Sequence, residues 1–169
     1  MSESQQKYYG KYRGTVLNNV DPLQIGRILV MVPDVSALLP TSWALPCVPI
    51  AGKQMGTFFV PQVGAGVWVE FEQGDPDYPI WSGCWWGSQA EIPPVLLAPP
   101  YKKVMLVTEG GNKIILDDTA GVGGISLETS GGQKIKLTST GIEIDNGSGA
   151  TIKLSGPTVK INEQALEVT

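Results

Sequence analysis

The chain contains no histidine, which removes Ser-His-Asp catalysis and histidine-based metal sites. Two cysteines, Cys47 and Cys84, are too few to hold a structural zinc ion by themselves. Carboxylates are the remaining enzymatic option. Glu70 and Glu72 lie two positions apart in an alternating run, so they are expected on one strand face about 7 Å apart, near the spacing of an inverting glycosidase pair. The competing reading is an exposed strand face beside a turn at Gly74. It is preferred, because nothing in the sequence supplies a cleft or a raised pKa. Asp75 and Asp77 flank Pro76 and read as turn formers, and Asp117-Asp118 reads as a corner. Trp43, Trp68, Trp81, Trp85 and Trp86 could form a base-stacking platform. A net charge of −4 and a pI near 4.8 supply no basic patch for it. The rings are therefore expected to fill a core or pack between subunits, with sugar binding as a lesser option. No catalytic, cofactor or metal site is expected, and no nucleic-acid partner.

These residues sit on short strands. The chain has 169 residues, 21 of them Gly and 13 Pro, with 17% charge and no long helical period, which reads as all-β with many turns. Strands are expected at Tyr8 to Leu17, Gly26 to Val32, Trp43 to Pro49, Gly66 to Phe71 and Pro79 to Trp86. In the fourth, Val67, Val69 and Phe71 share one face. Five strands in about ninety residues fit a small Greek-key barrel of the OB type, with glycines 64, 66, 83 and 87 at its bends. Cys47 and Cys84 fall in apolar stretches and are expected as buried free thiols, with a disulfide between them left open because spacing does not decide it. Ile92 to Pro100 carries four prolines and reads as an extended linker whose Val95, Leu96 and Leu97 pack against something. The expected division is 1–91 barrel, 92–103 linker, 104–169 repeat region. The polar N-terminus lacks the apolar core of a signal peptide, and no apolar run is long enough to cross a bilayer. The chain is therefore expected to be made in the cytoplasm.

From Val104-Met105-Leu106 onward one unit repeats: apolar, any, apolar, turn. The expected core is Ile114, Leu116, Ile125, Leu127, Ile135, Leu137, Ile142, Ile144, Ile152, Leu154, Val159 and Ile161, followed by Leu166 and Val168. Ile125 to Ile142, Ile135 to Ile152 and Ile142 to Val159 are each 17 residues apart. Such a period implies a solenoid. Seventeen residues hold only two short strands, too few for a single-chain coil. One chain would leave its apolar face bare and its strand edges unpaired. Three chains wound together supply the faces and pair the edges, so an obligate homotrimer is predicted. A flat antiparallel meander packed on the barrel is the alternative, and seven-fold repetition is long for it. About eight strands at 4.8 Å give a rod of roughly 40 Å.

Gly10-Lys11-Tyr12-Arg13-Gly14-Thr15-Val16, Asp21 to Val30, Gly64 to Pro79 (with Val67-Trp68-Val69-Glu70-Phe71-Glu72) and Trp81 to Gly87 together resemble the OB domain of phage baseplate spike proteins and the VgrG spikes of type VI secretion. Gly111 to Gly121 is similar to their entry into a triple-stranded β-helix. The resemblance implies an N-terminal OB barrel followed by an intertwined trimeric β-helix. It implies a non-enzymatic, membrane-piercing central spike in a phage tail or tail-like contractile particle, touching the target membrane only on firing. The linker is too short for the lysozyme domain that some phage spikes carry. The chain starts almost at the OB domain, so the trimeric hub is expected to be a separate protein. Hub docking is expected at Tyr8, Tyr9, Tyr12 and the polar tail before them. A PAAR-like tip protein is expected on Leu166, Val168 and Thr169. The alternative function is an OB-fold nucleic-acid or carbohydrate module on a trimerising β-solenoid stalk.

Overall fold

A computed structural model describes residues 6–36, 38–97, 99–163 and 165–168. The tail through Gln5, all of Thr169 and the side chains of Val95, Glu167 and Val168 lie outside the described set. The chain divides into two units, Met1–Glu91 and Ile92–Thr169. Both are built from strands.

The first unit holds β1 (Tyr12–Asn18), β2 (Leu29–Met31), a one-turn helix α1 (Pro33–Ser36), β3 (Leu45–Pro46), the hairpin β4 (Ala51–Gly52) and β5 (Met55–Gly56), β6 (Gly66–Phe71) and β7 (Pro79–Trp85). One sheet runs in the order β2-β1-β6-β7-β3, with β3 parallel to β7. Its two ends meet: Ile28 and Ala44, just before β2 and β3, exchange backbone hydrogen bonds at 2.8 and 3.2 Å, and Met31 bridges Pro40. The sheet thus curls towards a barrel around Val16, Ile28, Val30, Val32, Ala44, Val67, Val69, Phe71 and Trp81. The alternation of β6 puts Val67, Val69 and Phe71 inward as expected. The bend is made in β7, where Val67 faces Cys84 but Val69 faces Trp81. Ser82 and Gly83 together oppose the single residue Trp68, one extra residue that makes a bulge, and Gly83 takes φ +118°, a conformation that favours glycine.

Several strands are shorter than their sequence pattern. Tyr8 to Lys11 precede β1, Gly26 to Ile28 precede β2, and Trp43 precedes β3. Asp21 explains part of this. Its carboxylate, almost fully buried, accepts the backbone N–H groups of Leu23, Ile25 and Arg27 and the Arg27 guanidinium at 2.7 Å. The loop 21–27 is folded around one side chain, so β2 starts late. The cysteines correct the expectation of buried thiols: both are free and both are exposed.

The second unit is an eight-stranded antiparallel sheet in sequence order: β8 (Lys103–Val107), β9 (Lys113–Asp117), β10 (Gly124–Glu128), β11 (Lys134–Thr138), β12 (Gly141–Asp145), β13 (Thr151–Ser155), β14 (Thr158–Ile161) and β15 (Leu166–Val168). This corrects the edge argument. Each strand from β9 to β14 finds both hydrogen-bonding neighbours within its own chain, so edges do not require other copies. The 17-residue period is the step from one strand to the next but one in a run of hairpins. The short turns enforce it. Gly141 opens β12 with φ +151°, and a Cβ there would run into the Leu154 carbonyl oxygen of the neighbouring strand.

Candidate functional site

Register makes the second unit a surface of one kind. Val104 pairs with Leu116, then Ile125, Leu137, Ile142, Leu154 and Val159 follow in one unbroken row across the sheet. Leu106, Ile114, Leu127, Ile135, Ile144, Ile152, Ile161 and Leu166 form the second. A pleated strand sends alternate side chains to opposite faces, so both rows lie on one face. The twelve core residues expected from the sequence all lie in these rows. Each keeps 36–45% of its surface open in the single chain. Val104 and Leu106, outside that expected set, begin the rows and are more exposed still. Their signal was the same apolar-x-apolar unit.

The opposite face is better covered, although it is charged. Lys134 reaches Glu143 and Asp145 at 3.7 and 3.6 Å, Lys153 reaches Glu163 at 2.7 Å, and Lys113 reaches Glu128 at 3.3 Å. The Glu163 carboxylate beside Lys153 holds that ammonium above its usual pKa, and Lys153 in turn lowers Glu163. Lysine stems lie along the sheet and shield it. Ser126, between Ile115 and Lys136 in the sheet, is buried on this face. The sheet thus hides its polar face and shows its apolar one, the reverse of a sheet folded for solvent. Such a face calls for a protein cover.

In the first unit the chemical candidates are used structurally. Glu70 pairs with Lys11 at 3.0 Å, and Glu72 lies beyond the end of β6 in a tight turn, so the pair does not share a strand face as expected. Asp75 accepts the Asp77 N–H across Pro76 and meets Lys7 at 3.2 Å, the turn role expected of it. Asp117 accepts the backbone N–H of Thr119 at 3.0 Å and turns the chain after β9. Among the described residues no group of three or more His, Cys, Asp or Glu is placed to hold a metal ion. Trp81 is a core residue donating to the Gly26 carbonyl. Trp68 and Trp85 hold Arg13 over their rings, Trp43 stacks on Arg27, and Trp86 is exposed. Tyr8 and Tyr12 pack with Phe71 at ring distances of 6.1 and 5.7 Å, while Tyr9 stays exposed.

The chain thus joins a curled, OB-type sheet to a sheet built for apolar association. Two family models match in that order. The type VI secretion system and phage-baseplate injector OB domain covers residues 12–86, and the phage baseplate V C-terminal trimerisation domain covers residues 103–167. The chain belongs to this family of phage baseplate V and VgrG-like spike proteins. It is similar to the actin cross-linking toxin VgrG1 of Vibrio cholerae, 38% identical over 76 residues, 42% of this chain and 7% of that protein. It is also similar to the type VI secretion system spike protein VgrG4b of Pseudomonas aeruginosa, 36% identical over 76 residues, 42% of this chain and 9% of that protein. The chain thus spans less than a tenth of the length of these relatives.

Proposed function

We propose that three copies of this chain form the central spike of a contractile injection machine, a phage-tail baseplate or a related extracellular or type VI-like system. The apolar faces of three C-terminal sheets turn towards a common axis and the charged faces turn outward. The observation that carries this reading is the pair of apolar rows, uncovered along seven strands in one and eight in the other and opposite an ion-paired face. The trimerisation-domain match supports the copy number. On this reading the spike is driven through a target envelope and does no chemistry of its own.

Two attachments complete it. A trimeric hub docks on the N-terminal unit, with Tyr9 exposed and able to contribute while Tyr8 and Tyr12 serve the barrel. A PAAR-like tip protein caps the end at β15, where Leu166 is exposed and one strand edge has no partner within the sheet. Light scattering of the purified full chain tests the core of the proposal. It should report three times the 18.0 kDa chain mass, and a folded monomer at micromolar concentration would sink the reading. Co-expression with a hub and a PAAR-like protein from the same gene cluster should give one complex containing all three.

A further inference from the structure

The N-terminal unit carries an apolar groove of about 460 Å³ that the spike reading leaves unused. Trp81 and Gly26 line it, and the β4–β5 hairpin and the segment after it form a wall through Met55, Phe58 and Phe59. Phe58 and Phe59 are 72% and 64% exposed, which is costly for aromatic side chains facing water. Thr57 lies in the same groove, and its hydroxyl is buried without a hydrogen-bond partner. The groove therefore lacks both apolar contacts and a polar partner.

The same unit carries a projecting apolar knob. Leu38 and Leu39 are 85% and 71% exposed, and neither lines the groove. The knob is held in place: the Leu39 N–H donates to the Ser36 carbonyl at 2.8 Å, the Ser36 hydroxyl donates to the Leu39 carbonyl at 2.6 Å, and Pro40 is bridged to Met31. A fixed knob loses little entropy on docking.

We infer that the N-terminal units of three copies join in a ring, the Leu38–Leu39 knob of one entering the Phe58–Phe59 groove of the next. This rests on the trimer reading above and extends it to a surface outside the C-terminal sheet. Symmetry selects a second copy as the occupant. About a threefold axis each copy must meet its neighbour through two different patches, one complementary to the other, and this unit presents such a pair. The trimerisation domain begins at residue 103, close after the unit ends at Glu91, so three copies are tethered together. That raises the effective concentration of knob for groove to roughly the millimolar range.

The test is cysteine cross-linking in the full chain, in a Cys47→Ser, Cys84→Ser background. Leu38→Cys and Phe58→Cys are made singly and together, and trimers isolated by gel filtration are oxidised with copper phenanthroline. The double variant should run as covalent dimers and trimers on a denaturing gel, and each single variant as monomer. Both positions are mostly exposed, so the exchanges leave the barrel core intact. Monomer bands alone from an intact trimer would overturn the ring and leave the spike standing. Covalent dimers from either single variant would overturn the two-patch geometry. A background protein already monomeric before oxidation would end both readings.

Discussion

The apolar rows make a quantitative prediction at Ile144. In the single chain this side chain keeps 42% of its surface exposed. Complete burial of an aliphatic side chain is worth about 1.5–3 kcal/mol, so covering the open part in a trimer gains about 0.6–1.3 kcal/mol per copy. Three copies meet at one level, giving about 2–4 kcal/mol per trimer from this position. Ile144→Asp removes that gain and brings three carboxylates into an apolar axis, where each buried unpaired charge costs several kcal/mol more. The combined penalty, on the order of 10 kcal/mol, cancels the gain of roughly three such levels and must be set against an association already charged for lost translational and rotational freedom. Sedimentation velocity at micromolar concentration should show the variant as monomer or as aggregate through its bare face. Glu143→Gln, one residue earlier on the opposite face, should sediment as the parent does. An I144D trimer melting with the parent would refute the assignment of this face to the axis, and so would an E143Q variant that dissociates.

Further outcomes follow from single sites. The Arg27 guanidinium and three backbone N–H groups hold the Asp21 carboxyl far below the usual carboxylate range. A depressed native pKa contributes stability above the unfolded value, near 4, that is lost as pH falls below it. The melting-temperature gap between the parent and Asp21→Asn should therefore be widest near neutrality and narrow below about pH 4; an unchanging gap would contradict this. Gly141→Ala places a Cβ against the Leu154 backbone and forces β12 and β13 apart, so it should lower the melting temperature of the C-terminal unit sharply. A G141A variant that melts with the parent would show that the turn relaxes freely. Cys47 and Cys84 are both exposed and should react with Ellman's reagent in the native chain, Cys84 more slowly because burial raises its thiol pKa; silence from both until denaturation would contradict that exposure.

How much of this was legible depended on whether the information was local. The alternation of Val67, Val69 and Phe71, and the apolar-x-apolar unit from Ile114 to Ile161, reflect the two-residue period of a strand. Face assignment therefore came directly from the residue pattern. Pairing did not. A 17-residue repeat is equally the period of a winding coil and of a hairpin array, and only hydrogen bonds between strands distinguish them. The turns carried a usable signal in Gly124 and Gly141, also 17 residues apart at the starts of β10 and β12. Glu72 escaped because alternation was extended one residue beyond the strand, past a turn in which Gln73 takes φ +51°. The Leu38–Leu39 knob and the Phe58–Phe59 groove were invisible as a pair. Apolar residues in loops have no period, and their exposure appears only once the barrel has formed.

The antiparallel pairing also changes what the assembly must supply. Had the strands depended on other chains for their edges, a single copy would have had no structure before association. With the hydrogen bonds closed inside each chain, association is left to the apolar face. The two interactions then act in different directions. Backbone hydrogen bonds run from strand to strand, along the stacking direction, and resist separation of neighbouring strands. A lone sheet of eight strands nevertheless bends readily across its face. Three such sheets meeting along two continuous apolar rows brace one another against that bending. Row continuity matters here beyond total apolar area, because one unfilled level would create a hinge. The rows contain no polar residue from Val104 to Val159 or from Leu106 to Leu166, so neither row has an unfilled level within those bounds.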